Sequence, residues 1–172
     1  MDVSTGAAQL PSGLSARDSQ RARVYAGEEA WSLRLDAARR GAPRAEVAGS
    51  SVLLPRELHF GTLEAAQAYA DRQVQDAGLP PVRLRTRRGQ GRAHWEAPGV
   101  IALPVPVHGT PWAMRESVLL HELGHHLAFH LDGCADHGPR FTARMLALVT
   151  ASLGEEAALA LRVAWAEAGV TA

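Results

Sequence analysis

Apolar residues recur every three or four positions between Asp18 and about Arg40, where Val24, Trp31, Leu35 and Ala38 fall on one side among charges. That period predicts a packing helix, ended by Gly41-Ala42-Pro43. Gly49-Ser50-Ser51 reads as a loop and Arg56 to Phe60 as a short strand. A second helix is predicted from Thr62 to Ala77, with Leu63, Ala66, Tyr69, Ala70 and Val74 on one side and a stop at Gly78-Leu79-Pro80-Pro81. At Val82 the period changes to two. Val82, Leu84 and Thr86 alternate with Arg83, Arg85 and Arg87, Gly89-Gln90-Gly91 offers a turn, and Arg92 to Glu96 runs back, which predicts a β-hairpin with one arginine face. Gly99 to Leu103 reads as a further strand close to a sheet edge, because Pro104 and Pro106 cannot donate to a ladder.

Helical period returns near Thr110-Pro111-Trp112, where Thr110 suits a cap and Pro111 the first helical position. This helix is expected to run from about Pro111 to about Leu131 and to stop at Asp132-Gly133-Cys134-Ala135. Another starts near Gly138-Pro139-Arg140-Phe141, with Phe141, Met145, Leu148 and Val149 on its apolar face. After Gly154, residues Glu155 to Ala168 form the last helix, with Leu159, Val163 and Trp165 expected to face inward. Residues 1–16 are small and polar and cannot build a packed face, so a disordered tail is expected before a single domain over 17–172.

Composition narrows the class. The chain of 172 residues has a formal net charge of +0, so no global field draws it to nucleic acid or an anionic membrane. All 18 basic residues are arginine, which in a chain this rich in Ala and Gly reads as compositional bias, and the arginine face of the hairpin as a solvated strand face. A single cysteine, Cys134, rules out an internal disulfide framework and suits a reducing compartment. No stretch is long and apolar enough to span a bilayer, and the start lacks a basic region followed by an apolar run. The expectation is a soluble, cytoplasmic protein.

The candidate chemistry lies in His121-Glu122-Leu123-Gly124-His125. On a helix His121 and His125 project from one face and can share a metal, while Glu122 points beside them as a general base. A catalytic zinc site takes three protein ligands and leaves one position for water. His126 is about 100° round the helix from His125, and His130 also lies off the shared face, so neither can join the pair. His137, in the turn that leads back, is the preferred third ligand. Glu155 or Glu156, Asp136 and Asp132 are the alternatives, and Cys134 reads as a small turn residue. Asp132 or Asp136 could accept a hydrogen bond from a ligand's second ring nitrogen. Gly124 would let a following loop or strand approach, and His94, Tyr25, Tyr69 and Arg140 are candidates to stabilise an oxyanion.

His121-Glu-Leu-Gly-His125 followed by Asp136-His137-Gly138-Pro139-Arg140-Phe141 resembles the SprT-like branch of zincin metallopeptidases, over roughly Arg115 to Leu148. The chain is also similar to a small actinobacterial family known only as metallohydrolases, with Arg17-Asp18-Ser19-Gln20-Arg21 near its start. The SprT-like resemblance implies that the His-Gly-x-x-aromatic segment supplies the third ligand, His137. It implies an α+β, minimal zincin-like fold, with a small mainly antiparallel sheet packed against an active-site helix and several covering helices. It also implies that strand 100–103 is an edge where substrate backbone pairs. The function expected is a zinc metallohydrolase with one Zn2+ per chain, held by His121, His125 and His137, with Glu122 catalytic and a peptide or protein as substrate. The alternative is a binding or regulatory domain that a closed metal site merely staples.

Overall fold

The structure is a computed structural model that describes residues 18–89, 91–105 and 112–171. The tail expected over 1–16 and the Thr110-Pro111 cap lie outside those residues. The first helix, α1 (Arg21–Arg39), buries the expected stripe of Val24, Trp31, Leu35 and Ala38, with Gly27 among them. A tight antiparallel hairpin of β1 (Arg44–Val47) and β2 (Ser50–Leu53) follows, turning through Ala48 and Gly49, both at positive φ. This hairpin replaces the loop expected at Gly49-Ser50-Ser51. The strand expected over Arg56 to Phe60 is reduced to an isolated bridge between His59 and Arg115.

Helix α2 (Leu63–Asp76) starts where expected, because the Thr62 side chain accepts from Ala65 N–H at 3.1 Å and satisfies one orphan donor. It buries Ala66, Tyr69, Ala70 and Val74. Next come β3 (Arg83–Arg88), β4 (His94–Glu96) and β5 (Val100–Val105), and here the expected hairpin is wrong. The three strands stand in the order β3-β5-β4, with β5 parallel to β3 and antiparallel to β4. The strand expected at an edge is therefore the central one. Ile101, Ala102 and Leu103 are almost fully buried, and that burial makes the middle position favourable despite Pro104, which lies beside Arg87 in the parallel ladder. This small sheet is mixed, with one parallel and one antiparallel pairing, and the fold is α+β as expected.

Helix α3 (Glu116–Asp132) begins later than expected. Residues just before it are held extended: Phe60 N–H donates to Met114 C=O at 2.8 Å and Glu116 N–H to Leu58 C=O at 2.9 Å. The buried Glu57 carboxylate accepts from Arg115 and from Ser117 N–H, while Glu116 accepts from Leu58 N–H and from the Tyr69 hydroxyl. Two carboxylates thus sit at the positive end of this helix, where the dipole and free N–H groups favour them. From Leu119 to Ala128 every residue of α3 is buried, so it is the central helix of the molecule. Gly133, in the left-handed conformation at φ 66°, ends it.

Helix α4 (Pro139–Leu153) packs on α3, and α5 (Glu155–Glu167) lies against both α4 and α1. Gly124 allows the first contact: a Cβ there would stand 3.1 Å from Phe141 Cε2 and 3.3 Å from Met145 Cβ. The neighbour that needs this glycine is thus α4, not a loop or strand. Gly27 plays the same part between α1 and α5, where a Cβ would fall 2.6 Å from Trp165 Cδ1. Leu159, expected inside, is 37 % exposed; α5 instead buries Ala157, Ala158, Ala160, Leu161, Ala164 and Trp165, because small alanines let it lie close to its neighbours. No helix among the described residues is long and apolar enough to cross a membrane.

Candidate metal centre

His121 and His125 lie one turn apart on α3, and the turn after Gly133 folds His137 back over them. One ligand atom from each of the three lies within 4.8 Å of the others, and all three residues are buried. Among the described residues no other His, Cys, Asp or Glu joins this group. Glu155 and Glu156 are exposed at the start of α5. Cys134 approaches the Ala128 carbonyl instead, and burial raises its thiol pKa, which disfavours a thiolate. Asp136 is exposed and accepts from Gly138 N–H, and Asp132 is clasped by Arg144.

The partners of the two outer histidines come from the chain's start, not from Asp132 or Asp136. His121 Nδ1 lies 2.9 Å from Glu28 Oε1, and His137 Nδ1 lies 2.5 Å from Asp18 Oδ2, with His137 N–H also donating to Asp18. A carboxylate facing Nδ1 makes that nitrogen the donor and leaves Nε2 with its lone pair free. The two Nε2 atoms then face one another at 3.3 Å. Two nitrogens that each stand about 2.0–2.1 Å from one tetrahedral ion are separated by about 3.3–3.4 Å, so the donor set fits a divalent metal such as zinc.

The electrostatics agree with neutral ligands at two of the three positions. Burial, with His121 and His137 beside it, pushes His125 down to about 2. His137 is also lowered, since burial outweighs the charge of Asp18. His121 differs: burial lowers it, but Glu28 and Glu122 together outweigh burial and raise it. Glu122 is 3 % exposed, and burial lifts its carboxyl above the usual range, opposed by the charge of His121 and reinforced by that of Glu28. A carboxylate held that way takes up a proton more readily than a surface one.

Glu122 and His121 share a cavity of about 450 Å³ with Tyr25, Trp31, Arg92 and Trp112, within the size range of ligand sites. Of the four residues considered for an oxyanion role, only Tyr25 stands at the histidines, its ring stacked on His121 with centroids 5.1 Å apart. Tyr69 is committed to Glu116, Arg140 donates to the Asp132 carbonyl, and His94 pairs with Glu96. His126 and His130 pack rather than ligate. His126 Nδ1 accepts from Trp95 Nε1 at 3.2 Å and its Nε2 donates to the Pro80 carbonyl at 2.9 Å, while His130 reaches the Pro98 carbonyl. Those bonds tie α3 to β4 and the loops beside it.

A profile of SprT-like proteins matches residues 63–160, more than half of the chain. The chain belongs to the SprT-like family. No curated protein and no solved structure matches it. The SprT-like match takes in α2, the three-stranded sheet, α3, α4 and the start of α5, and with them all three histidines and Glu122. Helix α1 lies before the matched region, yet it and the short segment ahead of it bring Asp18, Tyr25 and Glu28 to this SprT-like site. Asp18 lay in the Arg17-Asp18-Ser19-Gln20-Arg21 segment already singled out, and the signal for Tyr25 and Glu28 was a second stripe beside the apolar one, since Arg21, Tyr25, Glu28, Ser32 and Asp36 also recur at three- and four-residue spacing.

Proposed function

We propose that this SprT-like protein is a zinc-dependent metallopeptidase of the zincin kind, with His121, His125 and His137 as the metal ligands and Glu122 as the general base. The observation that carries this reading is a buried glutamate placed beside three buried histidines and open to a cavity. A site that only stapled α3 to the following turn would gain nothing from a desolvated carboxylate there, and would close with a fourth protein ligand. A bound zinc ion would supply a Lewis acid that lowers the pKa of water from about 15.7 towards 7 and polarises a carbonyl.

The chain's own residues do the rest. Glu28 and Asp18 hold the imidazoles of His121 and His137 in the tautomer that offers Nε2. Glu122 takes a proton from the attacking water as its oxygen adds to the substrate's carbonyl carbon, and gives that proton to the amide nitrogen as the C–N bond breaks. Tyr25 and Trp31 wall the cavity, and exclusion of water there strengthens each polar interaction inside it. The substrate proposed is a peptide segment, presented next to β4, the edge strand nearest α3.

The test is metal content and peptide cleavage in one set of proteins purified without a histidine tag. About one zinc per chain in wild type, lost in His137→Ala, with cleavage abolished in Glu122→Gln while its zinc remains, is the expected pattern. Zinc bound by wild type with no cleavage of any peptide mixture would turn the reading to the stapled binding domain. Absence of metal after dialysis against zinc would overturn both.

A further inference from the structure

Beside the cavity at the histidines lies a second, more open hollow of about 520 Å³ along the outer face of α1. Tyr25, Glu29 and Arg92 line both, so Arg92 stands at their junction. Its guanidinium carbon lies 4.1 Å from the centre of the Tyr25 ring, and that ring stacks on His121 at an angle of 22°. The layers therefore run from cation to phenol to imidazole, and they end at the proposed metal ligands. The loop that carries Arg92 is itself held, since the Arg92 carbonyl accepts from Arg87 Nη2 at 2.6 Å.

Several of the other charges around the two hollows are already engaged. Arg115 is bound by Glu57 and Asp36, Glu28 faces His121, and Asp18 faces His137. Arg92 makes no ion pair among the described residues. Glu29, which lines both hollows beside Arg92, is exposed to solvent and makes no ion pair among the described residues. A second cation, Arg21, approaches the same tyrosine at 5.7 Å and adds to the positive field. Stacking occupies one face of a guanidinium and leaves its edge free. That edge carries the rigid fork of N–H donors that matches a carboxylate.

We infer that Arg92, shelved on Tyr25, is a specificity-determining receptor for a substrate carboxylate, so that the preferred peptides carry a carboxylate close to the bond that is cut. The carboxylate can come from a free C-terminus or from an Asp or Glu side chain; both present the same two oxygens to the fork. This inference rests on the peptidase reading above for its substrate class. Its geometry does not depend on whether the site is active.

The test therefore uses binding rather than turnover, on zinc-loaded Glu122→Gln protein. Trp31 and Trp112 line the cavity, so their fluorescence reports occupancy. Three pentapeptides serve as probes: a neutral sequence with a free C-terminal carboxylate, the same sequence amidated, and the amidated sequence with one internal Glu. At least one carboxylate-bearing peptide should bind about tenfold more tightly than the neutral one, and which arm does so identifies the source. Adding Arg92→Gln should remove the preference, and Arg92→Lys should restore only part of it, because an ammonium offers no planar fork. Equal binding of all three peptides, no binding of any, or a preference that survives Arg92→Gln would overturn the inference. If the preference is found but wild type cleaves nothing, the carboxylate site stands and the peptidase reading falls.

Discussion

Helices α1 and α3 meet at the same site and contribute to it in opposite ways. Helix α3 carries its chemistry in one local run, in which two histidines four positions apart share a face by helix geometry alone. Helix α1 carries no metal-binding spacing of its own, and only the Arg17-Asp18-Ser19-Gln20-Arg21 segment at its start stands out in the sequence. It acts only through tertiary contact, by setting Glu28 on His121 and Tyr25 over the same ring, while Asp18 just ahead of it takes His137. The SprT-like match begins at residue 63, after α1 has ended. The three clustered histidines thus fall within the family match, while the carboxylates that face two of them come from a part of the chain the family profile does not reach.

The sharpest way to break that division is to remove a ligand. His125→Ala should lower metal content from about one per chain to near zero at micromolar protein, read by elemental analysis, since two imidazoles make a poor site for zinc. Next in size comes the base. Glu122→Gln should keep its metal and lose about 10²- to 10⁴-fold in peptide hydrolysis, measured under conditions that saturate wild type with zinc. Retention of full activity would remove Glu122 from the proton path.

The α1 side should respond more gently. Asp18→Asn and Glu28→Gln each leave three histidines in place but remove the charge that faces Nδ1. Metal affinity, by competition with a chromophoric chelator, should fall by about 10- to 100-fold in each. A loss as complete as that of His125→Ala would make the carboxylates ligands rather than orienting groups. No loss at all would erase the contrast between the two helices.

The sequence was most readable where the determinants are local. The boundaries of α2 followed from Thr62 and Gly78, the stop of α3 from Gly133, and the shared face of His121 and His125 from their spacing. It was least readable where the outcome depends on distant pairing. Alternation in Val82 to Thr86 and the turn residues after it are compatible with a hairpin, yet β5 enters between the two strands because its apolar residues gain more by burial in the middle. The start of α3 was misplaced because residues 57–60, far away in sequence, hold the segment before it extended. Asp132 and Asp136 were attractive as acceptors only because they are close to His137 along the chain; Asp18 is 119 positions away and is the residue that reaches it.

Packing at Gly124 tests whether the ligand helix depends on its neighbour α4. In Gly124→Ala the added methyl meets Phe141 and Met145 at 3.1 Å and 3.3 Å, and both are fully buried. Over-packing should cost about 1–3 kcal/mol, seen as a lower denaturation midpoint at unchanged slope. The intrinsic helix preference for alanine over glycine, about 1 kcal/mol, works the other way. A net gain in stability would mean that α4 gives way easily and that the glycine is not needed for the contact.

The smallest effect is expected at Asp132, and its value is as a control for the carboxylates of the chain's start. Arg144 grips Asp132 through two N–H groups at 2.7 and 2.9 Å, and that hydrogen bonding holds its carboxyl below the usual value. A lowered pKa in the folded state means that the stabilisation is present above the ordinary carboxylate pKa and is lost as pH falls through the folded-state value. The pair lies at the surface and is only partly covered, so solvent still screens much of it. Asp132→Asn should therefore show a slightly lower thermal midpoint than wild type at pH 7, and the gap should close in acid. Its zinc affinity should match wild type, unlike that of Asp18→Asn. If Asp132→Asn instead weakened metal binding as much as Asp18→Asn, proximity in sequence would have been the better guide, and the assignment of Asp18 as the partner of His137 would have to be given up.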